Sequence, residues 1–592
     1  MLTHLKRSAL FVLVTLAACG GDNSSGPNPA NVTSVAVTPS SSTLGLGLTE
    51  NLVASPKDPN GNTVPGVNVT WSSSNTLIAT VNSNGTVTAK AVGSVSIKAT
   101  AGGVTGTASV VITSTPPSAL QLIFSTYLGG NQQDQVRDIA TDAAGNIYVA
   151  GGTASPNFPA TAGALDPSFN GTYDAYVAKL SPSGTLLWAT FLGGPNYDRA
   201  YAVEVDASGF IYLAGRAGDN FPVTAGAFQT TFQGSPDDPP YGPQDGFVCK
   251  LTPDAGAIVF CSYFGTSDPQ IVRDVAVDPQ GNIYLGSSSS SGTFPSAWFA
   301  NGYRSTPIGG LDGVVAKISP DGSQVLYATY IGGSQDEAGE ASIRVNSSGE
   351  AFVLYTTGSS DAPTPNGFDH SLGGLRDAYV VKISANGGSL LFGTFLGGSG
   401  GESVETHELV LDPQGNPIVS TGTTSSDFPT TAGAFQRTFG GKGGPTTGGG
   451  TNYGGDVFVA KISSNGSQLL ASTYVGGPEG EGAEGIGVDA QGNVYISGAT
   501  YSSGLPFMLG GRQPQLSGDA DLFAIKLAPD LTRILYASYL GGTDQDYGRT
   551  ATATPSGDFL IGGNILSINW PTQAALQGAP GGNLDGVVAK FR

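Results

Sequence analysis

Side chains with the reactivity for catalysis or metal binding are scarce in this sequence. It holds three histidines and three cysteines among 592 residues, and none of them forms a His-Glu-x-x-His or Cys-x-x-Cys motif. The densest group of candidates is Glu402, Glu405, His407 and Glu408. Carboxylates beside a histidine can bind a metal ion or transfer protons, but this spacing follows no rule for either role. We therefore expect no catalytic residues, no metal and no cofactor.

The first residues have the order of an export signal. A basic pair precedes an apolar run over residues 9–16, which is too short to cross a bilayer, and the sequence Leu-Ala-Ala-Cys ends at Cys19. This order resembles the bacterial lipobox. The resemblance implies a signal peptide over residues 1–18 and lipidation of Cys19, which would anchor the exported chain to the cell envelope, in the outer membrane or at the cell surface. Residues 19–32 are polar and predict a flexible tether.

Charge and composition limit the classes of partner and fold. The net charge is −20, which argues against binding nucleic acid or an anionic surface. Only 12% of the residues are charged while 89 are glycine, which indicates short strands and tight turns. The chain is also too long for a single hydrophobic core, so it must contain several domains or a repeat array.

Residues 33–114 predict an Ig-like β-sandwich, because short runs of alternating apolar and polar residues are separated by turns. The runs Thr-Trp-Ser-Ser-Ser-Asn at 70–75 and Asn-Gly-Thr-Val-Thr-Ala at 84–89 closely resemble the bacterial Ig-like group 2 (BIG2) family. The resemblance implies a spacer or adhesive module. Trp71 is expected to fill the core of the sandwich. Residues 115–120 are predicted to form a stiff linker.

From residue 121 onward the chain repeats itself. One recurring element, Tyr-Leu-Gly-Gly or a variant of it, has its first glycine at Gly129, Gly193, Gly265, Gly332, Gly397, Gly476 and Gly541. The other recurring elements are Asp-x-x-Gly-Asn-Ile-Tyr-Val, Phe-Pro-x-Thr-Ala-Gly-Ala-Phe-Gln and Asp-x-x-Val-x-Lys-Leu. Together they predict four strands, a to d, in each unit. Seven such units predict an all-β fold with a seven-bladed β-propeller over residues 121–592.

The two ends of the repeat array match each other. The array begins with an isolated strand d at residues 122–128 and ends on a strand c at residues 587–591. Pairing these strands would complete the last blade and close the ring, which removes a free sheet edge. The four elements together resemble the SBBP-type β-propeller repeat family, found mostly in bacterial surface and secreted proteins. The resemblance indicates the fold but not an activity.

An aspartate and a lysine recur in strand c of every unit. The aspartates are Asp174, Asp245, Asp312, Asp377, Asp456, Asp521 and Asp585, and the lysines are Lys179, Lys250, Lys317, Lys382, Lys461, Lys526 and Lys590. A side chain that every blade repeats is expected to serve the scaffold, so we predict inter-strand or inter-blade ion pairs. The Asp-x-x-Gly-Asn element predicts a turn between strands a and b, with calcium binding as the alternative.

One position at the start of strand a changes from blade to blade. Five residues before the a–b turn, it holds Arg137, Tyr201, Arg273, Ala341, His407, Glu484 and Arg549. Strand a lines the channel of a propeller, so we expect these side chains at the channel mouth, on the face of the d–a and b–c loops. The d–a loops beside them carry Asp134, Asp198, Asp268, Asp336, Glu402, Glu481 and Asp546.

Unequal side chains at equivalent places suit an asymmetric polar ligand. We therefore predict a ligand site at the mouth, and a solvated polar rim is the alternative. Strand alternation leaves one choice open, because the neighbouring Asp138, Asp274 and Glu408 could face the channel instead.

Cys249 and Cys261 are predicted to form a disulfide. They lie on strands c and d of one hairpin, and the equivalent positions of the preceding unit hold Ala178 and Ala189. The two thiols thus replace two small residues together, in a compartment that export would make oxidising. Two separate buried thiols are the alternative.

These observations together predict a non-catalytic cell-surface lipoprotein. The Ig-like domain would hold the propeller away from the membrane, and the propeller would bind or adhere to a protein or glycan. The alternative is an enzyme, a hydrolase or lyase, that acts on extracellular polysaccharide with carboxylates at the channel mouth.

Overall fold

The computed structural model describes most of the chain. The described residues are 32–45, 49–113, 120–234, 240–290, 294–337, 340–442, 455–505 and 511–592. The predicted signal peptide, Cys19, nearly all of the tether and most of the linker lie outside the described residues. Within the described ranges, no helix is long and apolar enough to cross a membrane.

Nine strands build an N-terminal β-sandwich. They are β1 (Ser34–Thr38), β2 (Ser41–Gly45), β3 (Thr49–Asn51), β4 (Val53–Lys57), β5 (Val69–Ser73), β6 (Ala79–Val81), β7 (Thr86–Ala89), β8 (Gly93–Ala101) and β9 (Val104–Thr113). One sheet has the order β2-β9-β8-β5, a second has the order β3-β7-β6, and β1 pairs with β4. Val87, Ile97 and Val110 are fully buried between the sheets. Trp71 is only half-buried and packs against the edge of this core, so it does not fill the centre as the sequence suggested.

Seven sheets follow, each with strands a to d in order from the inside outward. The strands are β10 (Leu122–Leu128); blade 1, β11 (Asp134–Thr141), β12 (Ile147–Thr153), β13 (Asp174–Leu180) and β14 (Leu186–Leu192); blade 2, β15 (Arg199–Val205), β16 (Ile211–Ala217), β17 (Asp245–Leu251) and β18 (Ile258–Phe264); blade 3, β19 (Asp274–Val277), β20 (Ile283–Ser289), β21 (Asp312–Ile318) and β22 (Val325–Ile331); blade 4, β23 (Ser342–Val345), β24 (Ala351–Thr357), β25 (Asp377–Ile383) and β26 (Leu390–Leu396); blade 5, β27 (Glu402–Ser403), β28 (Leu409–Leu411), β29 (Pro417–Thr423), β30 (Asp456–Ile462) and β31 (Leu469–Val475); blade 6, β32 (Glu481–Val488), β33 (Val494–Thr500), β34 (Asp521–Leu527) and β35 (Ile534–Leu540); and blade 7, β36 (Asp546–Ala553), β37 (Phe559–Ile565) and β38 (Asp585–Phe591). A short 3-10 helix, Ser296–Phe299, lies in the b–c loop of blade 3.

The a–b turns are built as the sequence predicts. Asp142 Oδ1 accepts hydrogen bonds from the backbone N–H groups of Ala144 and Asn146, at 3.0 and 2.9 Å. Gly145 between them has a φ of 78°, a conformation that favours glycine. The same arrangement recurs at Asp278. The element is therefore a turn that repeats with the blades.

The first strand of the array pairs with the last. β10 lies antiparallel to β38 and forms the outer strand of blade 7. Phe124 of β10 is fully buried and packs against Gly184 in the c–d turn of blade 1. A side chain at Gly184 would collide with the Phe124 ring. Blade 2 makes the same contact with blade 3, where Phe260 lies over Gly322. The N-terminal strand thus supplies to blade 1 a contact that successive blades make along the chain.

The recurring lysines of strand c lie beside the a–b turn of their own blade, and six of them form an ion pair with an acidic residue of that turn. Ion pairs join Lys179 to Asp142, Lys317 to Asp278, Lys382 to Glu350, Lys461 to Asp412, Lys526 to Asp489 and Lys590 to Asp558. Lys250 has no such pair among the described residues but lies 4.6 Å from the Phe210 ring centre. Lys590 Nζ also donates to the Pro182 carbonyl oxygen at 3.0 Å, from blade 7 to blade 1.

The recurring aspartates of strand c do not form the ion pairs that the sequence suggested. Asp456 accepts from the backbone N–H groups of Gly440 and Gly441 at 2.7 Å each, and Asp174 accepts from those of Asn170 and Gly171 at 2.8 and 3.0 Å. A carboxylate satisfies two amide groups at once. These aspartates therefore fix the end of each long b–c loop, while the lysines carry the ion pairs.

A disulfide joins Cys249 and Cys261. The two residues are directly opposite each other on β17 and β18, with Cα atoms 4.1 Å apart. The equivalent cross-strand pair in blade 1 is Ala178 and Ala189. The bond therefore lies inside a single hairpin of blade 2, in a position that otherwise holds two small side chains.

Candidate functional site at the channel mouth

A β-bulge in strand a decides which side chains reach the channel. The pairing with strand b shifts by one residue at Arg137, Tyr201, Glu484 and Arg549. A bulge re-aims the additional side chain, so a bulged residue and the residue after it can face the same side. Both positions that the sequence left as alternatives therefore line the channel.

The position after the bulge connects neighbouring blades. Asp138 Oδ2 accepts from the Val203 backbone N–H of blade 2 at 2.9 Å. Asp274 Oδ2 likewise accepts from the Ile343 N–H of blade 4 at 2.9 Å. Glu408 is fully buried at this position and takes part in the packing around the channel. Asp138 and Asp274 therefore hold adjacent blades together, which leaves the bulged residues as the candidates for ligand contact.

Blade 5 has a larger bulge than the other blades. Its strand a begins ten residues before the a–b turn aspartate (Glu402 to Asp412), whereas strand a of blade 1 begins eight residues before it (Asp134 to Asp142). Strand a of blade 5 is also interrupted between β27 and β28. His407 lies in this enlarged bulge with a φ of 64°. Its Nε2 is 2.8 Å from the backbone carbonyl oxygen of Tyr201 in blade 2. The imidazole therefore reaches across the channel from blade 5 to blade 2.

Tyr201 lies at the centre of an arginine cluster. Its ring centre is 4.5, 4.8, 5.2 and 5.8 Å from the guanidinium carbons of Arg199, Arg273, Arg137 and Arg216, respectively. At these distances the ring attracts each cation. The cluster draws on blades 1, 2 and 3, so three blades converge on one aromatic ring.

Glutamates of blades 4, 5 and 6 face the same mouth. Glu340 Oε1 is 2.8 Å from Arg273 Nη2, and Glu484 forms an ion pair with Arg549. Burial raises the pKa of Glu405 well above its ordinary value, and the charges of Glu340 and Glu484 raise it further. Glu405 therefore favours its protonated form. The mouth is chemically asymmetric, with arginines on one side and glutamates on the other.

Beneath His407 the channel opens into a cavity of 330 Å³ on the side of the a–b turns. Asp138, Asp274, Glu204 and Arg344 line it together with His407. His407 Nδ1 is 3.5 Å from Asp274 Oδ1 and 3.7 Å from Asp138 Oδ1. Burial opposes a charged imidazole, but the two aspartates outweigh it and raise the pKa of His407. Burial also raises the pKa of Glu204 to about 7.

The acidic residues of the d–a loops are not part of the mouth. Asp134 is fully buried and accepts from Gly130 N–H at 2.6 Å and from Ser155 Oγ at 2.9 Å. Similar buried positions are occupied by Asp198, Glu402, Glu481 and Asp546. In blades 3 and 4 the equivalent residues are Gln270 and Glu337, in place of the predicted Asp268 and Asp336. These side chains hold the d–a loops and are unavailable to a ligand.

The quartet Glu402, Glu405, His407 and Glu408 is not a single site. Glu402 bonds to Thr423 and Ser425 inside its loop, at 2.6 Å each. His407 instead crosses the channel toward Tyr201. Across the described ranges, no group of three or more His, Cys, Asp or Glu side chains is arranged to hold a metal ion.

Several residues of the channel escaped the sequence analysis. In their own blades, Glu204 and Arg344 lie two residues after the position equivalent to that of Asp138 and Asp274. Strand alternation could therefore have placed them in the channel. Arg199 and Arg216 occur in one blade only, and no repeat pattern points to them. Tyr197 is partly exposed beside them and stacks on Tyr173 with ring centres 4.7 Å apart.

The fold and site define a bacterial Ig-like domain followed by a β-propeller with a polar channel mouth. Residues 31–112 match the family described as bacterial Ig-like domain (group 2). Residues 123–159 and 259–295 match the family described as beta-propeller repeat. The assignment of both domains from the sequence is therefore confirmed.

More distant similarities link the chain to one curated protein and to solved structures. Regulatory protein FlaEY of Caulobacter vibrioides is 22% identical over 305 residues, which cover 48% of this chain and 30% of that protein. The chain thus aligns with less than a third of that relative. Similar solved structures include an ulvan lyase of a polysaccharide lyase family (12% identity, 77% of this chain, 96% of that chain, TM-score 0.40). Another is quinohemoprotein alcohol dehydrogenase from Comamonas testosteroni (10% identity, 80% of this chain, 77% of that chain, TM-score 0.35).

Proposed function

We propose that this chain is an exported lipoprotein that binds a glycan or protein ligand at the channel mouth of its propeller. Lipidated Cys19 anchors it to the cell envelope, in the outer membrane or at the cell surface. The Ig-like domain serves as a spacer between the membrane and the propeller. The propeller presents its d–a and b–c loops to the ligand and catalyses no reaction.

The observation that carries the proposal is the asymmetry of the mouth. Scaffold side chains repeat from blade to blade, whereas the bulged position holds arginine, tyrosine, histidine or glutamate in different blades. A solvated rim has no need of this variety. His407 also reaches across the channel beneath these side chains, with its Nε2 2.8 Å from the Tyr201 carbonyl oxygen. A mouth with unequal polar groups suits one oriented ligand.

The triple variant R137A/R273A/R549A is expected to lose ligand binding. These arginines are only partly buried at the mouth, and hydrogen bonds from a charged group contribute about 1.5–3 kcal/mol each. A glycan array and a pull-down with the mature protein would first supply the ligand. We expect the affinity of the triple variant for it to fall at least about tenfold, which equals about 1.4 kcal/mol.

The matched control for this variant is K90A/K98A/R592A. It removes the same charge from three exposed basic residues, two in the Ig-like domain and one on the propeller face of the a–b turns, and should leave the affinity unchanged. Circular dichroism would check that both triple variants remain folded. Equal affinities for the two triple variants would reject the mouth as the ligand site.

An enzyme acting on extracellular polysaccharide is the second candidate. The observation that favours it concerns Glu405. Burial and two neighbouring carboxyls raise its pKa well above the ordinary value, and a general acid needs a raised pKa to keep its proton. Incubation of the mature protein with polysaccharides that bind it would distinguish the roles. New reducing ends or unsaturated products that disappear in E405Q would establish the enzyme, and unchanged polymer would leave the binding role.

A further inference from the structure

Two members of the arginine cluster around Tyr201, Arg137 and Arg199, form no ion pair in the described part of the chain. Arg199 is 6% exposed, and its guanidinium bonds to the Gln135 side chain at 2.9 Å and to the Tyr201 hydroxyl. Among the described residues, no carboxylate lies within 4.0 Å of Arg199 or Arg137. The Nε atoms of both arginines are buried without a hydrogen-bond partner in the described part of the chain.

Burying positive charge is costly when little negative charge lies near it. Burial lowers the pKa of Arg199, and the charge of Arg137 lowers it further. Burial and the charge of Arg549 lower the pKa of Arg137, whereas the charges of Glu484 and Glu405 raise it. Aromatic rings offset part of this cost, since both cations lie over the Tyr201 ring. An anion between the two arginines would remove most of it, because arginine forms paired hydrogen bonds with carboxylate and sulfate groups.

Tyrosine rings border the same place. Tyr197 and Tyr241 are partly exposed, and their ring centres are 5.0 Å apart. The Arg216 guanidinium lies 3.6 Å above the Tyr241 ring and holds it in position. A partly exposed aromatic ring beside polar groups can pack against the apolar face of a sugar ring while the arginines bind a charged substituent.

We infer that the ligand of this site is an acidic saccharide, whose carboxylate or sulfate group binds between Arg137 and Arg199 while its ring packs against the partly exposed Tyr241 and the edge of Tyr197. This inference rests on the proposed function, because it specifies the ligand class of the same mouth. It also accounts for an arginine cluster in a chain of net charge −20. Selectivity for the anionic group arises because a neutral sugar would bring no negative charge to the two arginines.

The test compares ligands that differ only in charge. The mature protein is titrated calorimetrically with oligogalacturonate, with the same oligosaccharide as its methyl ester, and with a sulfated galactan oligosaccharide beside its desulfated form. We expect each acidic form to bind at least about tenfold more tightly than its neutral counterpart. The preferred pair shows whether the anion is a carboxylate or a sulfate. The variant R137Q/R199Q should lose this preference, and R137K, which keeps the charge, should retain part of it.

The outcomes separate this inference from the proposed function. Equal affinity for charged and neutral forms, with binding still lost in R137A/R273A/R549A, would overturn the acidic ligand and leave the mouth as the site. Retention of the preference in a folded R137Q/R199Q protein would also overturn the inference, because the anion would then bind elsewhere. If no saccharide on the array binds and the pull-down yields a protein ligand, the saccharide ligand is rejected. The proposal that the channel mouth is the ligand site would remain.

Discussion

Removal of residues 121–130 is expected to unfold the propeller or to lower its melting temperature by at least about 10 °C. This deletion removes β10, and with it the outer strand of blade 7 and the contact between Phe124 and Gly184 of blade 1. It also leaves Trp570 without its partner, since Trp570 Nε1 donates to Ser125 Oγ at 2.7 Å. Loss of one large buried aromatic side chain alone costs about 3–5 kcal/mol.

Two further variants make this result interpretable. F124A keeps the strand and removes only the contact between blades, so we expect an intermediate loss of stability. Deletion of residues 19–114 removes the Ig-like domain with its own core and should change the melting temperature of the propeller little. Equal melting temperatures for the intact and strand-deleted propellers in calorimetry would show that pairing of the two terminal strands does not close the ring.

The propeller is expected to be more stable at pH 5 than at pH 8, by at least about 5 °C in melting temperature. Burial raises the pKa of the d–a loop carboxyls: to about 6 for Asp134 and to about 7 for Asp198, Glu337, Glu402, Glu481 and Asp546. In the unfolded chain these groups titrate near pH 4. The folded state therefore holds protons that the unfolded state has lost, and this stability disappears as the pH rises from about 4 through 7.

A second set of carboxyls sets the lower limit of this pH range. Burial alone would raise the pKa of Asp142, but hydrogen bonds from Asn146 and the charge of Lys179 lower it. Hydrogen bonds from Arg592 and Lys590 lower the pKa of Asp558 to about 2 despite its burial. The stability that these groups contribute is present above their unfolded pKa and is lost as the pH falls below about 4. Maximal stability is therefore expected near pH 5.

Blade 3 suggests the variant that tests this pH dependence. Gln270 occupies there the position that Glu402 holds in blade 5, so a neutral amide is compatible with the loop. We expect E402Q to decrease the difference in melting temperature between pH 5 and pH 8. E350Q should not, because the ion pair with Lys382 and the hydrogen bond from Asn346 lower the pKa of Glu350 despite its partial burial, so its charge does not change between these pH values. A wild-type melting temperature that rises from pH 5 to pH 8 would show that these carboxyls are ionised in the folded state.

The repeats made the scaffold predictable. Seven copies of the same elements locate strands and turns redundantly, so one degraded copy, such as the turn that begins at Asn346, does not change the result. The same redundancy could not assign partners. A recurring Asp in strand c is compatible with an ion pair or with capping of a loop, and only the positions of Gly440 and Gly441 show that Asp456 caps a loop.

The location of the variable side chains was predictable, but their orientation and contacts were not. The variable position did identify Arg137, Tyr201 and His407, because differences among equivalent residues are visible in the sequence. Strand alternation could not show that a bulge turns these residues toward the channel, since a bulge has no fixed sequence pattern. The two additional residues of blade 5 are visible in the sequence as a longer spacing. The sequence does not show that they carry His407 across the channel to Tyr201.

Arginine modification tests the position of the ligand site most directly. Mature protein is treated with phenylglyoxal with and without a saturating concentration of oligogalacturonate, or of the saccharide that gives the highest array signal, and labelled arginines are quantified by mass spectrometry. Protection of Arg137 and Arg273, with unchanged labelling of the exposed Arg592 on the opposite face, is the expected result. Equal labelling of Arg137 and Arg273 with and without bound ligand would contradict a site at the channel mouth.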